Sequence, residues 1–228
     1  MSKYAMERRQ KGFTLVEIAI VLVIIGLLLG GVLKGQELIN SAKVKNIAND
    51  FRNVSLFIYG YQDKYRALPG DDANVATHLG IAAKAGPAGA TLGNGIINGN
   101  WWDSTDPATS EAELFWQHIR FAGLSTGSTN VSEDTYYPRN AEGGRIGVES
   151  NIAATAYITG IQGAYLVCQR GVMGRFAMQL DITMDDGDTA TGSMRTVAND
   201  AVARPSAVVP TADARANADT PYTVCLGI

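Results

Sequence analysis

Arg9-Gln10-Lys11-Gly12-Phe13-Thr14-Leu15-Val16-Glu17, followed by an uncharged stretch from Ile18 to Leu33, decides how the rest of the chain is read. A short basic leader ends in glycine, an apolar helix begins, and one carboxylate sits inside it. An ionised glutamate near the middle of a bilayer costs on the order of 2.5–3.5 kcal/mol even on insertion scales. A chain that keeps Glu17 there calls for a partner to that charge, and the partner is expected on another molecule.

Three readings of the segment compete. A secretory signal peptide has an apolar core of roughly 7–15 residues and then a small-residue cleavage site. Here the run is longer, carries Glu17, and passes through Leu33-Lys34-Gly35-Gln36 without an Ala-x-Ala pattern. A plain transmembrane anchor of about 20 apolar residues fits Phe13 to Leu33 but leaves Glu17 unexplained. The third reading rests on Lys11-Gly12-Phe13-Thr14-Leu15-Val16-Glu17, which closely resembles the leader junction of type IV prepilins. In that family a dedicated membrane peptidase cuts after the glycine and methylates the new terminal amine. The resemblance implies cleavage between Gly12 and Phe13, N-methylation of Phe13, and a mature chain in which Glu17 is the fifth residue. It covers the chain as far as about Gly35, is very specific there, and decides among the three.

The physics of the motif stands without the family. Cleavage creates a positive amine on Phe13, four residues before Glu17. The first helical turn favours a carboxylate through the helix dipole. In a stack of parallel helices, Glu17 of one subunit meets the Phe13 amine of a neighbour. Each charge alone is penalised in a low-dielectric setting, whereas the pair offsets part of its own desolvation. The expected role of Glu17 is therefore register during assembly.

The chain has 228 residues and a formal charge of −3. Lys3, Arg8, Arg9 and Lys11 against Glu7 make the leader +3, which leaves −6 for the mature part. Basic residues ahead of a membrane segment favour a cytoplasmic N-terminus, so the remainder is expected on the exported side. That length suits one anchor helix plus one globular domain. Mild acidity gives no hint of nucleic-acid binding.

Beyond the apolar run, Val44, Ile47, Phe51, Val54, Ile58, Tyr61 and Tyr65 recur at intervals of three and four. That spacing places them on one helical stripe, away from Lys45, Asn49, Asp50, Arg52 and Lys64. The stripe reads as a core seam, and Leu68-Pro69-Gly70 as the stop. A helix from Phe13 to about Arg66 is about 80 Å long at 1.5 Å per residue. Gly26, Gly30, Gly31 and Gly35 weaken its middle by about 1 kcal/mol each relative to alanine. They serve either close helix packing or, as the family resemblance implies, local stretching of the backbone on assembly; the sequence leaves both open.

Residues 71–107 are rich in turn formers and read mostly as loop. Ser110 with Glu113 is a capping-box pattern, Leu114, Phe115, Ile119 and Ala122 form the stripe of a second helix, and Gly123 ends it. Strand character appears at Arg145–Val148, Ala154–Ile158 and Ala164–Val167, suggesting an antiparallel meander covered on one face by the long helix. Phe176–Met184 reads as a short helix stopped by Asp185-Asp186-Gly187-Asp188, Thr191–Thr220 as loop, and Tyr222–Leu226 as a last edge strand. Cys168 and Cys225 are the only cysteines, so one intramolecular disulfide is possible. It would tie the C-terminal segment back to the sheet on the oxidising, exported side. A disulfide-bounded C-terminal region also resembles the type IV pilins, more loosely than the leader does.

No residue pattern points to an enzyme. His78 and His118 have no cysteine or histidine at metal-ligand spacing, no phosphate-binding glycine loop is present, and no serine lies in a nucleophile elbow. Asp181, Asp185, Asp186 and Asp188 cluster hard oxygens of the kind calcium takes, yet they lack the D-x-[DN]-x-[DN]-G spacing and read as a solvated acidic turn. The Leu180–Gly187 stretch resembles a recurrent pilin-like sequence without attached activity. Trp101-Trp102 reads as a cap on the sheet or second helix ahead of an exposed contact patch. No metal and no cofactor is expected.

The expected architecture is α+β, a pilin fold. A long N-terminal helix, membrane-spanning in its first half and amphipathic in its second, packs on an antiparallel sheet. The expected segments are a leader at 1–12, a membrane or filament-core half at 13–34, an amphipathic half at 35–68, and a globular head at 69–228 closed by the 168–225 disulfide. The resemblance implies a structural subunit of an extracellular type IV pilus used for adhesion or motility, with a type II secretion pseudopilin as the alternative. Its implied partners are further copies in a helical filament, the prepilin peptidase, an inner-membrane assembly platform with its ATPase, minor pilins, and the membrane before assembly. The implied location is a single-pass inner-membrane protein that ends in the extracellular pilus or a periplasmic pseudopilus.

Overall fold

The structure is a computed structural model that describes residues 14–80, 83–84, 86, 90–102 and 110–228. The leader, with Gly12 and Phe13, lies outside the described residues. The chain divides into two units, Met1–Ala42 and Lys43–Ile228, and helix α1, Leu15–Tyr65, supplies residues to both. Its start is set by Thr14, and its last turn carries Lys64, a cation suited to the C-terminal end of the dipole. Arg66 follows with φ 56°, the left-handed conformation that breaks the ladder.

In the second unit the predicted seam is buried. Val44, Ile47, Phe51, Val54 and Ile58 join Leu114, Phe115 and Ile119 of α3 (Glu111–Phe121), Phe176, Ala177 and Leu180 of α4 (Gly174–Met184), and Val148, Val167, Val172 and Val224 of the sheet, and Tyr61 is buried as well. Each large apolar side chain so buried stabilises the fold by roughly 1.5–3 kcal/mol. Only Tyr65 of the stripe stays half-buried. Beyond the helix end, Gly70 takes φ +94°, and a Cβ there would lie 2.3 Å from the Glu111 carbonyl oxygen. Glycine is required where this turn meets α3.

The sheet has four antiparallel strands, β1 (Ile146–Ser150), β2 (Tyr165–Met173), β3 (Met194–Ala198) and β4 (Pro221–Gly227), in the order β1-β2-β4-β3. Side chains alternate across it. Val167 and Val224 face α1, whereas Leu166, Cys168, Val197 and Cys225 face a second core with Trp101, Tyr157, Ile158 and Ile161. Both faces are covered.

Four expectations are corrected. The run Ala154–Ile158 is no strand: Ala153–Thr155 form a single 3-10 turn, and Tyr157 is buried with its hydroxyl donating to the Ala201 carbonyl. β2 continues past Val167 through a register shift between Gln169 and Val172. The last strand is central, inserted between β2 and β3, so the sheet is not a simple meander. The segment read as loop after Thr191 holds β3 and a short helix, α5 (Thr211–Ala216). A further short helix, α2 (Val75–Leu79), interrupts the loop after Gly70.

Candidate functional site

The first described turn is a reciprocal capping box. Thr14 N–H and Thr14 Oγ1 both donate to Glu17 Oε2 at 2.8 Å, and Glu17 N–H donates to Thr14 Oγ1 at 3.3 Å. The Thr-x-x-Glu spacing has a purely local meaning, the pairing of otherwise orphaned helix-start donors, alongside the one the resemblance implies. Thr14 is the residue the sequence reading passed over, although its spacing to Glu17 is the same signal that identified Ser110 and Glu113. At the second site Ser110 Oγ accepts from Glu113 N–H at 3.3 Å, as the pattern predicts.

From Leu15 to Leu33 the large apolar side chains are exposed, from 88% at Leu15 to 46% at Ile25. This is a helix long and apolar enough to cross a membrane. Its first charged residue after Glu17 is Lys34, which pairs with Glu37 at 2.7 Å. A Cβ added at Gly26, Gly30, Gly31 or Gly35 would meet nothing within 4 Å. Among the described residues, nothing requires glycine at these four positions.

Cys168 of β2 and Cys225 of β4 stand directly opposite each other in the ladder and form the disulfide. Both are fully buried. Arg204, in the segment it encloses, donates to Glu149 Oε2 at 2.6 Å and to Asn100 Oδ1 at 2.9 Å, and lies over the ring of Trp102. Trp101 is 1% exposed and packs beside Tyr157, which fits its reading as a cap.

The two histidines have different surroundings. His118 is buried: Nδ1 accepts from Gly70 N–H at 2.9 Å and Nε2 donates to the Lys84 carbonyl at 2.7 Å. Burial holds its pKa below the usual value, and the ring fastens the turn to α3. His78 Nδ1 lies 2.7 Å from Asp72 Oδ2, which also accepts from the Tyr61 hydroxyl at 2.7 Å, beside a cleft of about 800 Å³. Burial alone would push the Asp72 carboxyl up. Hydrogen bonds from His78, Tyr61 and the Asn74 N–H outweigh it and hold the group below the ordinary carboxylate range.

The acidic turn is internally braced. Asp181 Oδ1 accepts from Gly187 N–H, Asp185 Oδ2 from Met194 N–H, and Asp186 Oδ2 from the Thr191 hydroxyl, at 2.7–2.8 Å. Asp181 is fully buried on α4. Burial, with the neighbouring charges of Asp186 and Asp185, pushes its carboxyl up to about 7 despite the Gly187 N–H.

Residues 8–33 match the prokaryotic N-terminal methylation motif. No curated protein matches the chain. The motif, the apolar helix and the α+β pilin-like head together support membership of the type IV pilin and pseudopilin family. The motif implies processing by the prepilin peptidase and assembly into a filament, and the single apolar N-terminal helix fits membrane anchoring before that step.

Proposed function

We propose that the chain is a structural subunit of an extracellular type IV pilus. The observation that carries this reading is the methylation motif running into a helix whose apolar side chains from Leu15 to Leu33 are exposed among the described residues. The peptidase cleaves between Gly12 and Phe13, glycine leaving no side chain at the scissile bond, and Phe13 is N-methylated. Subunits then leave the membrane for a helical filament. Apolar helix packing supplies the affinity, and Glu17 sets register against the Phe13 amine of a neighbour. No residue of the chain is assigned bond chemistry, and the work of assembly falls to the inner-membrane platform and its ATPase. Minor pilins, adhesion and motility follow from the same reading.

A pseudopilin of a type II secretion system shares the motif and is the second reading. The size of the head and its disulfide-closed C-terminal segment favour the pilus. Shearing cells and probing the released material separates them. Long filaments containing a chain that begins at N-methylated Phe13 are expected. Processed chain that stays with the cells, in a strain that secretes folded proteins through an outer-membrane secretin, would favour the pseudopilin.

A further inference from the structure

We propose that the start of α3 carries a cleft for a primary ammonium group, anchored by the Glu111 carboxylate. Glu111 is fully buried. Its Oε2 accepts from the Asn98 N–H at 2.8 Å and from Asn98 Nδ2 at 3.0 Å. Its Oε1 is also buried but accepts no hydrogen bond from any described residue. A buried carboxylate oxygen without a donor is costly, so a donor there is strongly favoured.

Glu111 also lines a cavity of about 340 Å³, together with Thr91, Asn94, Asn98, Gly99 and Ser110. Thr91, Asn94 and Asn98 are exposed, whereas Ser110 and Glu111 are buried. The cavity thus has an open rim of hydroxyl and amide groups over a carboxylate floor. None of its described lining residues is basic. The charge of Asp71 also reaches Glu111, while the helix N-terminus returns only about half a positive charge. An anionic ligand is therefore disfavoured, and a cation with N–H donors supplies what Oε1 lacks. Burial raises the Glu111 carboxyl above its ordinary value against the two Asn98 bonds, and Asp71 adds to the rise. A bound ammonium would hold the group ionised.

Ammonium fits better than guanidinium. A guanidinium engages both oxygens of one carboxylate in a planar fork, and Asn98 already occupies Oε2 twice. An ammonium fans three donors towards separate acceptors. The walls are pre-arranged for this. Asp71 accepts from the N–H groups of Gly93, Asn94 and Gly95 at 2.6–3.3 Å, and Asn94 Oδ1 accepts from Ile96 N–H at 2.8 Å. Gly99, at φ +111°, lets the loop close on the helix start, where a Cβ would lie 2.3 Å from Ser110 Cβ.

The test is titration of the detergent-solubilised full chain with n-butylammonium, the end of a lysine side chain, at constant ionic strength. So small a ligand has few atoms to supply affinity, and the titration runs to about 50 mM. Saturable binding of one molecule per chain is expected, at least tenfold weaker for n-butanol and in Glu111→Gln. Thr91 is exposed, so Thr91→Phe is expected to melt within a few degrees of wild type while blocking the mouth, which separates lost binding from lost folding. No saturable binding by the wild type would mean that water alone serves Oε1, and would overturn the proposal. Equal n-butylammonium affinity in wild type and Glu111→Gln, or equal affinity for n-butanol, would overturn it as well. Filament yield distinguishes the two sources of the ammonium. A fall in Glu111→Gln and Thr91→Phe assigns it to a lysine of a second copy and rests on the pilus reading. Unchanged yield, with binding lost, assigns it to a free amine and holds whichever filament the chain builds.

Discussion

Thr14 and Glu17 cap each other: the Thr14 N–H and hydroxyl meet Glu17 Oε2, and the Glu17 N–H returns to Thr14 Oγ1. Glu17 therefore has a local structural duty in addition to the intermolecular one proposed for it, and the two are separable by mutation. Loss of the threonine cap costs about 1 kcal/mol of helix start and leaves the carboxylate charged. Thr14→Ala is expected to lower filament yield mildly, and Thr14→Ser not at all. Glu17→Ala is expected to insert and be cleaved normally but to yield little sheared filament, and Glu17→Gln, which keeps a capping oxygen without the charge, to behave like Glu17→Ala. Quantifying sheared filaments against processed chain checks this. Normal assembly by Glu17→Gln would assign the residue to capping alone.

Most of the helical architecture was legible because its signals are local. The stripe from Val44 to Tyr61 has helical period, Ser110 announces its helix three residues before Glu113, and Asp185 follows the last turn of α4. The strands were less legible because their pairing is not local. Met194-Arg195-Thr196-Val197-Ala198 is short and carries an arginine, and it becomes a strand only because β4, nearly thirty residues later, lies beside it. Ala154–Ile158 has strand composition, but Tyr157 and Ile158 fill the second core from a turn, which no period reveals. At the candidate sites, residue types were visible and partners were not. His78 looked solitary because its partner is a carboxylate six residues earlier, Asp72, which the chain's turn at Gly70 also brings against the Tyr61 hydroxyl.

The disulfide joins directly opposed residues of β2 and β4, and its sequence separation is 57 residues. Closing a loop of that size in the unfolded chain stabilises the folded state by about 4 kcal/mol in the chain-entropy model. For a domain of this size, that corresponds to roughly 8–16 °C in Tm. The Cys168→Ala, Cys225→Ala double variant is expected to melt lower by an amount in this range, with folding retained through the sheet ladder. Circular dichroism melts of both proteins measure it, and a fall of less than 2 °C would show that the sheet restrains the segment without the bond.

Asp72 supplies a pH dependence with a definite sign. Its folded pKa lies below the ordinary carboxylate value, so the native state favours the ionised form. The stability it contributes is present above the unfolded carboxylate range near pH 4 and is lost as pH falls through the lower folded value. Asp72→Asn weakens the acceptor for the Tyr61 hydroxyl and His78, and is expected to cost about 1–3 kcal/mol at pH 7. The gap to wild type is expected to narrow steadily between pH 5 and pH 3. Denaturant melts at several pH values test the sign. A gap that widened on acidification would contradict the hydrogen-bond assignment.

The four glycines at and just past the apolar half pose the sharpest contrast between the chain alone and the chain assembled. A Cβ at Gly26, Gly30, Gly31 or Gly35 meets nothing within 4 Å, so no described residue of the single subunit imposes a steric need for glycine. Each substitution by alanine is expected to strengthen the isolated helix by about 1 kcal/mol. If these positions serve close approach of neighbouring helices or local stretching of the backbone, the same substitutions obstruct the assembled state. Gly30→Ala, Gly31→Ala is therefore expected to raise helicity of the detergent-solubilised subunit while lowering the yield of sheared filament. The two mechanisms then part on a second variant. Serine, nearly as small as alanine but a poorer helix former, restores some backbone freedom while keeping the bulk. Recovery of assembly in Gly30→Ser, Gly31→Ser would favour stretching, and continued failure would favour close packing. Filament yields equal to wild type in both double variants would remove any assembly role for the pair.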